Sequence, residues 1–294
     1  MNSIKRGIGE RIFEVFNIIF MIAISVVMIY PLLYVIFASF SEGGLLIKHS
    51  GVLLKPLGFS LNAYKLMMKN NTILHGYANT LFIVTAGTCV NLFLTSLGAY
   101  FLSTKGPMFK KAITVLIVIT MYFSGGLIPL YFTVMGLGLE NSYLALILPN
   151  AINTFNLIVM KTAFEAVPVS LRESAGIEGA GEFTILFKVV LPLARATVAV
   201  LLLYYAVEHW NSWFNAVLYI DDRNKYPLQL ILREILIQSD TTVMSAGNVG
   251  SDNYAVSETI KYAVTVAATI PILCIYPFLQ KYFEKGVMVG AVKG

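Results

Sequence analysis

Charge is scarce in this sequence. Lys, Arg, Asp and Glu make up 13% of its 294 residues, hydrophobic residues make up 57%, and mean hydropathy is +0.75. A soluble globular chain carries about 25% charged residues, so this composition belongs in a bilayer. Cysteine is nearly absent: Cys89 and Cys274 both fall inside apolar runs. That placement argues against a disulfide framework or a thiolate metal site, and both read as small buried hydrophobes. The three histidines, His49, His75 and His209, are too scattered for a metal centre. There is no GxxxxGK[ST], so the chain has no P-loop for ATP, and no HExxH or GxSxG that would suggest a hydrolase. No catalytic residue and no metal ligand is assigned, and no bound cofactor is expected on this chain. The net charge of +5 is spread between apolar runs and reads as a topology signal rather than a nucleic-acid surface.

What the sequence does contain is a series of apolar runs. After a basic N-terminus (1–14), Val15 to Phe40 has no charged residue. A signal peptide has an apolar core of only about 7–15 residues, so this run reads as a retained helix, with Pro31 tolerated inside it. Ser41 to Asn71 is polar enough to leave the membrane, and Leu61, Tyr64, Leu66 and Met68 suggest a short interfacial helix. The second run, Asn70 to Thr104, repeats Gly87, Asn91, Thr95 and Gly98 at helical spacing. That face serves either close helix packing or the lining of a polar pathway. A third run, Ala112 to Leu139, is interrupted by Gly125, Gly126 and Pro129; a fourth covers Ser142 to Met160. The fifth is expected to open near Pro192, since proline suits a first helical turn, and to reach Ile220. Asp221 to Ser257 reads as a long polar connection, and Tyr262 to Gln280 is the sixth run.

These runs predict one transmembrane domain over 15–280, with spans at 15–40, 73–103, 112–136, 142–162, 192–220 and 260–280. The connections include a polar segment at 165–191, a loop at 221–257 and a tail at 281–294. Thirteen of the 21 Lys and Arg residues then share a side with both termini. The positive-inside rule puts that side in the cytoplasm, although Lys65 and Lys69 on the other side count against it.

Glu165 to Ala196 is the longest interruption on the cytoplasmic side. Pro168 can open a short helix with Leu171, Ala175 and Glu178 on one face and Arg172 and Glu173 solvated. Gly179 and Gly181 flank Ala180 and permit a sharp turn. A second short helix, Glu182 to Val190, leads into Leu191-Pro192-Leu193. By itself this is either a docking surface for a partner or an amphipathic connector lying on headgroups. Glu208 and His209 form the other notable polar pair, inside the fifth run, where ionisable groups usually face a bundle interior or a cavity.

The pattern Glu173-Ser174-Ala175, Glu178-Gly179-Ala180, Phe187 and Leu191-Pro192-Leu193 resembles the EAA motif of ABC importer permeases. It departs mildly at Ser174, at Glu178 in place of Asp, and at Ala196 where a further proline is common. Trp210-Asn211-Ser212-Trp213-Phe214 resembles the Trp-Asn-x-x-Phe signature of maltose-type (MalG-like) carbohydrate permeases. The ending Lys285-Gly286-Val287 with Gly290 to Gly294 resembles their closing segment. Within that family the sequence is most similar to the LplC- and YtcP-like oligosaccharide permeases.

The resemblance implies an all-α membrane protein with the six-helix, type I (MetI-like) permease fold and a cytoplasmic coupling helix. It also implies an importer of carbohydrate, with an oligosaccharide expected, in the cytoplasmic (inner) membrane of a bacterium, both termini cytoplasmic. The chain itself would not be an enzyme. The expected partners are a second homologous permease, two ATPase subunits that hold ATP and Mg, an extracytoplasmic solute-binding protein and the lipid bilayer. Glu173, Ser174, Ala175, Glu178, Gly179, Ala180, Leu191 and Pro192 would make the ATPase-coupling segment, and the tail would approach the same subunits. Glu208, His209, Trp210 and Asn211 are candidates for the sugar pathway, with Trp210 or Trp213 offering an aromatic face. The alternative is that both tryptophans form an interfacial belt and Glu208 pairs with a neighbouring subunit. The 221–257 loop would contact the binding protein or act as a flexible cover. An amino-acid or osmolyte permease, or a secondary transporter, is the competing class.

Overall fold

The computed structural model describes residues 7–106, 108–244, 258–275 and 277. All regular structure among these residues is helical: α1 (Ile8–Ser39), α2 (Gly43–Lys48), α3 (Asn62–Lys69), α4 (Asn71–Ser103), α5 (Lys110–Tyr122), α6 (Leu127–Gly136), α7 (Leu144–Ile147), α8 (Thr154–Glu165) and α9 (Val169–Ile177). There follow α10 (Glu182–Ile185), a π-helical turn (Leu186–Val190), α11 (Leu191–Leu193), α12 (Arg195–Trp210), α13 (Trp213–Tyr219), α14 (Leu228–Met244) and α15 (Glu258–Ile275). The 281–294 tail and residues 245–257 of the loop lie outside the described residues.

The chain divides into two compact units, residues 1–70 with 234–269, and residues 71–233 with 270–294. In the first, α1 leaves apolar side chains such as Phe13, Phe16, Ile19, Val27 and Met28 exposed. A helix that is apolar all round belongs in lipid or in a protein interior. Its C-terminal end is covered by a small cluster of Ala38, Leu46 and Leu53 against Tyr34, Phe37 and Tyr262. The short helix α3 turns Ala63 and Met67 inward and leaves Leu66 and Met68 exposed. Ser39 and Tyr64 share a 2.8 Å hydrogen bond.

The second unit is built around α4, which packs on α8 and α12. One core joins Ala99, Leu102, Leu157, Met160, Phe164, Ile185, Val190 and Leu201. Another joins Ile83, Val134, Leu146, Ala216, Tyr219 and Leu230. Helices α1, α4 and α15 are long and apolar enough to cross a membrane alone. Two bent pairs also qualify together: α5 with α6 at 114°, and Glu182–Leu193 with α12 at 90°.

Four details differ from the sequence reading. The run 142–162 is not one helix, because residues 148–153 interrupt α7 and α8 before Asn153 caps α8 through the Asn156 N–H at 3.2 Å. The run expected to open near Pro192 and reach Ile220 is two helices, α12 from Arg195 to Trp210 and α13 from Trp213 to Tyr219, and the short segment Glu182–Leu193 meets α12 at 90°. Proline has no N–H to return to Lys188, and the π turn over Leu186–Val190 accommodates the mismatch. The polar connection contains a 17-residue helix, α14, with Leu228, Leu230, Ile231 and Leu232 buried; its apolar stretch was masked by polar flanks. Finally, Cys89 and Cys274 are exposed rather than buried. They sit on helix sides that the chain leaves uncovered, where a thiol is apolar enough for lipid.

Candidate functional site

The first candidate site is the segment after α8. Pro168 precedes α9, where its missing N–H costs nothing. Gly179 has φ +84°, its N–H bonds Gly176 O at 3.0 Å, and the Ala180 N–H bonds Ala175 O at 3.0 Å. This pair of bonds is the Schellman stop of a helix, and the left-handed residue in it favours glycine. The chain then turns into α10, whose first residue, Glu182, suits the positive helix start.

Glu173, Ser174, Glu178 and Gly179 are exposed. Ala175, Ala180 and Leu191 are half-buried against the core, and Pro192 is exposed within its helix. The expectation that Arg172 is solvated fails. Its guanidinium folds inward, donating to the carbonyl oxygen of Phe164 and, at 3.4 Å, to Ser103 Oγ. It stacks 5.8 Å from the ring centre of Tyr100, whose hydroxyl donates to Glu182. Beside it is a cavity of about 440 Å³ bordered by Lys105, Lys110, Glu165, Arg172, Glu173 and Glu182. Lys161 and Lys110 approach Glu165 at 3.1 and 3.9 Å.

The second candidate site surrounds the end of α12. His209 is buried, and its Nε2 donates to Asn91 Oδ1 at 3.0 Å, while Asn91 Nδ2 donates to Asn150 O at 2.8 Å. Its ring lies against Gly87, where an added Cβ would sit 2.4 Å from Nε2. Thr95 Oγ1 and the Tyr205 hydroxyl are 2.7 Å apart, and Tyr205 accepts the Asn153 N–H at 3.2 Å. A Cβ on Gly98 would meet Leu157 at 3.0 Å. The Gly87, Asn91, Thr95, Gly98 face is therefore spent on packing.

Glu208 is exposed and borders two cavities. One, of about 350 Å³, is shared with Thr120, Asn150, Asn153 and Thr154. The other, of about 170 Å³, is shared with Asn150, His209, Asn211, Ser212 and Asn215. Trp210 is turned away, into an apolar hollow with Val84, Leu202, Ala206 and Ile272. At 3.6 residues per turn it lies far around the helix from Glu208. Of the four candidates, the structure brings Glu208, His209 and Asn211 together and leaves Trp210 out. Trp213 is exposed, with the Arg233 guanidinium 4.7 Å from its ring centre. The described start of the 221–257 loop is pinned. Asn79 Nδ2 donates to Asn224 O and Tyr226 O at 2.7 and 3.0 Å, and Leu228 N–H donates to Thr80 Oγ1 at 2.8 Å.

No family model matches the chain. It is 42% identical to the polygalacturonan/rhamnogalacturonan transport system permease protein YtcP of Bacillus subtilis, over 97% of this chain and 99% of that protein. It is also 42% identical to protein LplC of the same organism, over 100% of this chain and 98% of that protein. Among solved structures, a bacterial ABC transporter involved in import of the acidic polysaccharide alginate superposes with a TM-score of 0.87 at 29% identity. That match covers 96% of this chain and 100% of the other. The chain belongs to the carbohydrate ABC transporter permeases.

Permease subunits of this family are not themselves enzymes, in keeping with the missing P-loop. Two side chains of this permease escaped the sequence reading. Ile177, between Ala175 and Glu178, is 88% exposed, and Phe183, just past the glycine corner, is 67% exposed. Large apolar groups bared beside a charged ridge make this segment a candidate interaction surface. The available signal was an isoleucine followed directly by Glu178 and Gly179 at the end of an amphipathic helix.

Proposed function

We propose that this permease is one transmembrane half of an ATP-driven importer of oligosaccharides. It pairs with a second, homologous permease and is supplied by an extracytoplasmic binding protein. Two separate ATPase subunits carry ATP and Mg and hydrolyse the nucleotide. In this reading the chain crosses the cytoplasmic membrane six times, at 15–40, 73–103, 112–136, 142–162, 192–220 and 260–280. The third, fourth and fifth crossings are discontinuous, and both termini are cytoplasmic. The polygalacturonan/rhamnogalacturonan and alginate systems among its relatives support acidic oligosaccharides as the first to test.

The observation that carries the proposal is α9 with its glycine corner. Glu173, Ser174, Ile177, Glu178 and Gly179 are all presented outward by a helix with no fully buried residue. A surface of that kind fits a cleft in an ATPase subunit, with Ala175 and Ala180 allowing close approach and Leu191 and Pro192 carrying the motion onward. ATP drives transport by favouring one of two states of the permease pair. Glu208, His209 and Asn211 line the sugar's route.

Co-purification with the ATPase subunit tests the assembly. The wild-type permease retains the ATPase through affinity purification and Gly179→Asp loses it. Equal retention by both removes α9 from the contact.

A further inference from the structure

Among the described residues, Ala175 is the only apolar side chain of α9 packed against the core, and no residue of the helix is fully buried. Apolar contact that thin leaves a nine-residue helix free to rock at Pro168 and at Gly179. Arg172 makes the missing connection. One guanidinium nitrogen donates to the Phe164 carbonyl in the last turn of α8, and another donates to Ser103 Oγ at the last residue of α4. The flat group also lies over Tyr100 on α4, and the Tyr100 hydroxyl holds the carboxylate of Glu182, which opens α10. A planar fork can donate in two directions and stack at once; a lysine ammonium cannot reproduce that combination.

We propose that Arg172 is a positioning residue for energy coupling. It clasps α9 to α4 and α8 and, through Tyr100, to α10. A displacement of α9 then moves the bundle instead of being absorbed by bending at the ends of α9. The inference rests on α9 being the ATPase contact. It assigns Arg172 no contact with the ATPase, because its guanidinium faces inward while Glu173, Ile177 and Glu178 face out. A permease lacking the clasp keeps its docking surface but transmits less of the motion.

Two measurements on Arg172→Met test this. The first is amide hydrogen exchange over residues 169–177 in the purified permease, which is expected to become about tenfold faster while exchange in α4 keeps its wild-type rate. Unchanged exchange in α9 overturns the clasp. The second uses the assembled transporter in liposomes with its binding protein and a galacturonate trisaccharide as probe. The expected result is ATP hydrolysis within about twofold of wild type and uptake per ATP several-fold lower. Wild-type uptake per ATP together with fast α9 exchange overturns the coupling role. Arg172→Lys is expected to fall between; full wild-type behaviour in both measurements would show that charge alone suffices and would also overturn the clasp. Should Arg172→Met not fold, Tyr100→Phe with Ser103→Ala removes two of the connections and is judged by the same two outcomes. A wild-type permease that binds no ATPase defeats the reading of α9 as the contact, and the exchange measurement still decides the clasp.

Discussion

Around His209 the chain answers its own polar groups: Asn91, Thr95, Tyr205 and His209 bond one another or the backbone of Asn150 and Asn153. Along α9 the arrangement is reversed, with Glu173, Ser174, Ile177 and Glu178 turned outward and nothing within 4 Å of a Cβ added at Gly179. The two regions therefore differ in how they should tolerate added atoms. The first has no room where Gly87 meets the His209 ring, so substitutions on that side are read in the stability of the isolated permease. The second has room on its outward face, so substitutions of its outward residues are read chiefly when a partner is present.

The largest effect on stability is expected from Gly87→Val. A Cβ at that position meets the His209 ring at 2.4 Å, and Asn91 holds the ring in place, so relief requires breaking a buried hydrogen bond. Overpacking of that kind costs about 1–3 kcal/mol, and an orphaned Asn91 adds a similar penalty. Thermal unfolding of the purified permease should show a clear drop in Tm; an unchanged Tm would mean the helices part without loss. Gly179→Asp is the counterpart. Asp tolerates the left-handed backbone better than most residues, so stability should fall by about 1 kcal/mol or less, even though ATPase retention is lost. A large drop in Tm would turn that loss into a folding defect.

Glu208→Ala lies between the two regions, because Glu208 faces cavities yet sits one residue from the packed His209. Fold and assembly should be kept and uptake should fall several-fold; unchanged uptake and unchanged ATPase stimulation take Glu208 off the route. The smallest effect is expected from Ile177→Ser, which should leave Tm unchanged and weaken ATPase association by about tenfold, the scale of one exposed aliphatic side chain covered on binding. A titration showing equal affinity would leave Ile177 outside the contact.

Much of this contrast was readable in the sequence. The absence of charge located the long helices α1, α4 and α15, and Pro168 and Gly179 bracketed α9 through backbone rules that depend only on neighbouring residues. Long-range geometry was less accessible. Arg172 on a short polar helix reads as solvated, and only the folded positions of Phe164 and Tyr100 draw it inward. Trp210 sits in a polar cluster of the sequence but on the apolar side of its helix. The helix α14 was obscured because Asp, Asn and Ser at both ends diluted LQLILREILI. At Pro192 the local rule for a helix start falls three residues short of Arg195, where α12 opens, and nothing local announces the 90° meeting of Glu182–Leu193 with α12 or the π turn over Leu186–Val190.

That π turn also fixes the angular phase of the segment. Widening the helix over Leu186–Val190 takes up an extra residue, so side chains before and after it are out of step with a regular α-helix. Ile185, Leu186, Val190 and Ala194 all reach the same core. Deleting one residue there would straighten the bonding and rotate everything upstream by about 100° around the helix axis relative to α11. The glycine corner and Glu182 would turn with it, leaving a segment that is more regular and aimed in the wrong direction.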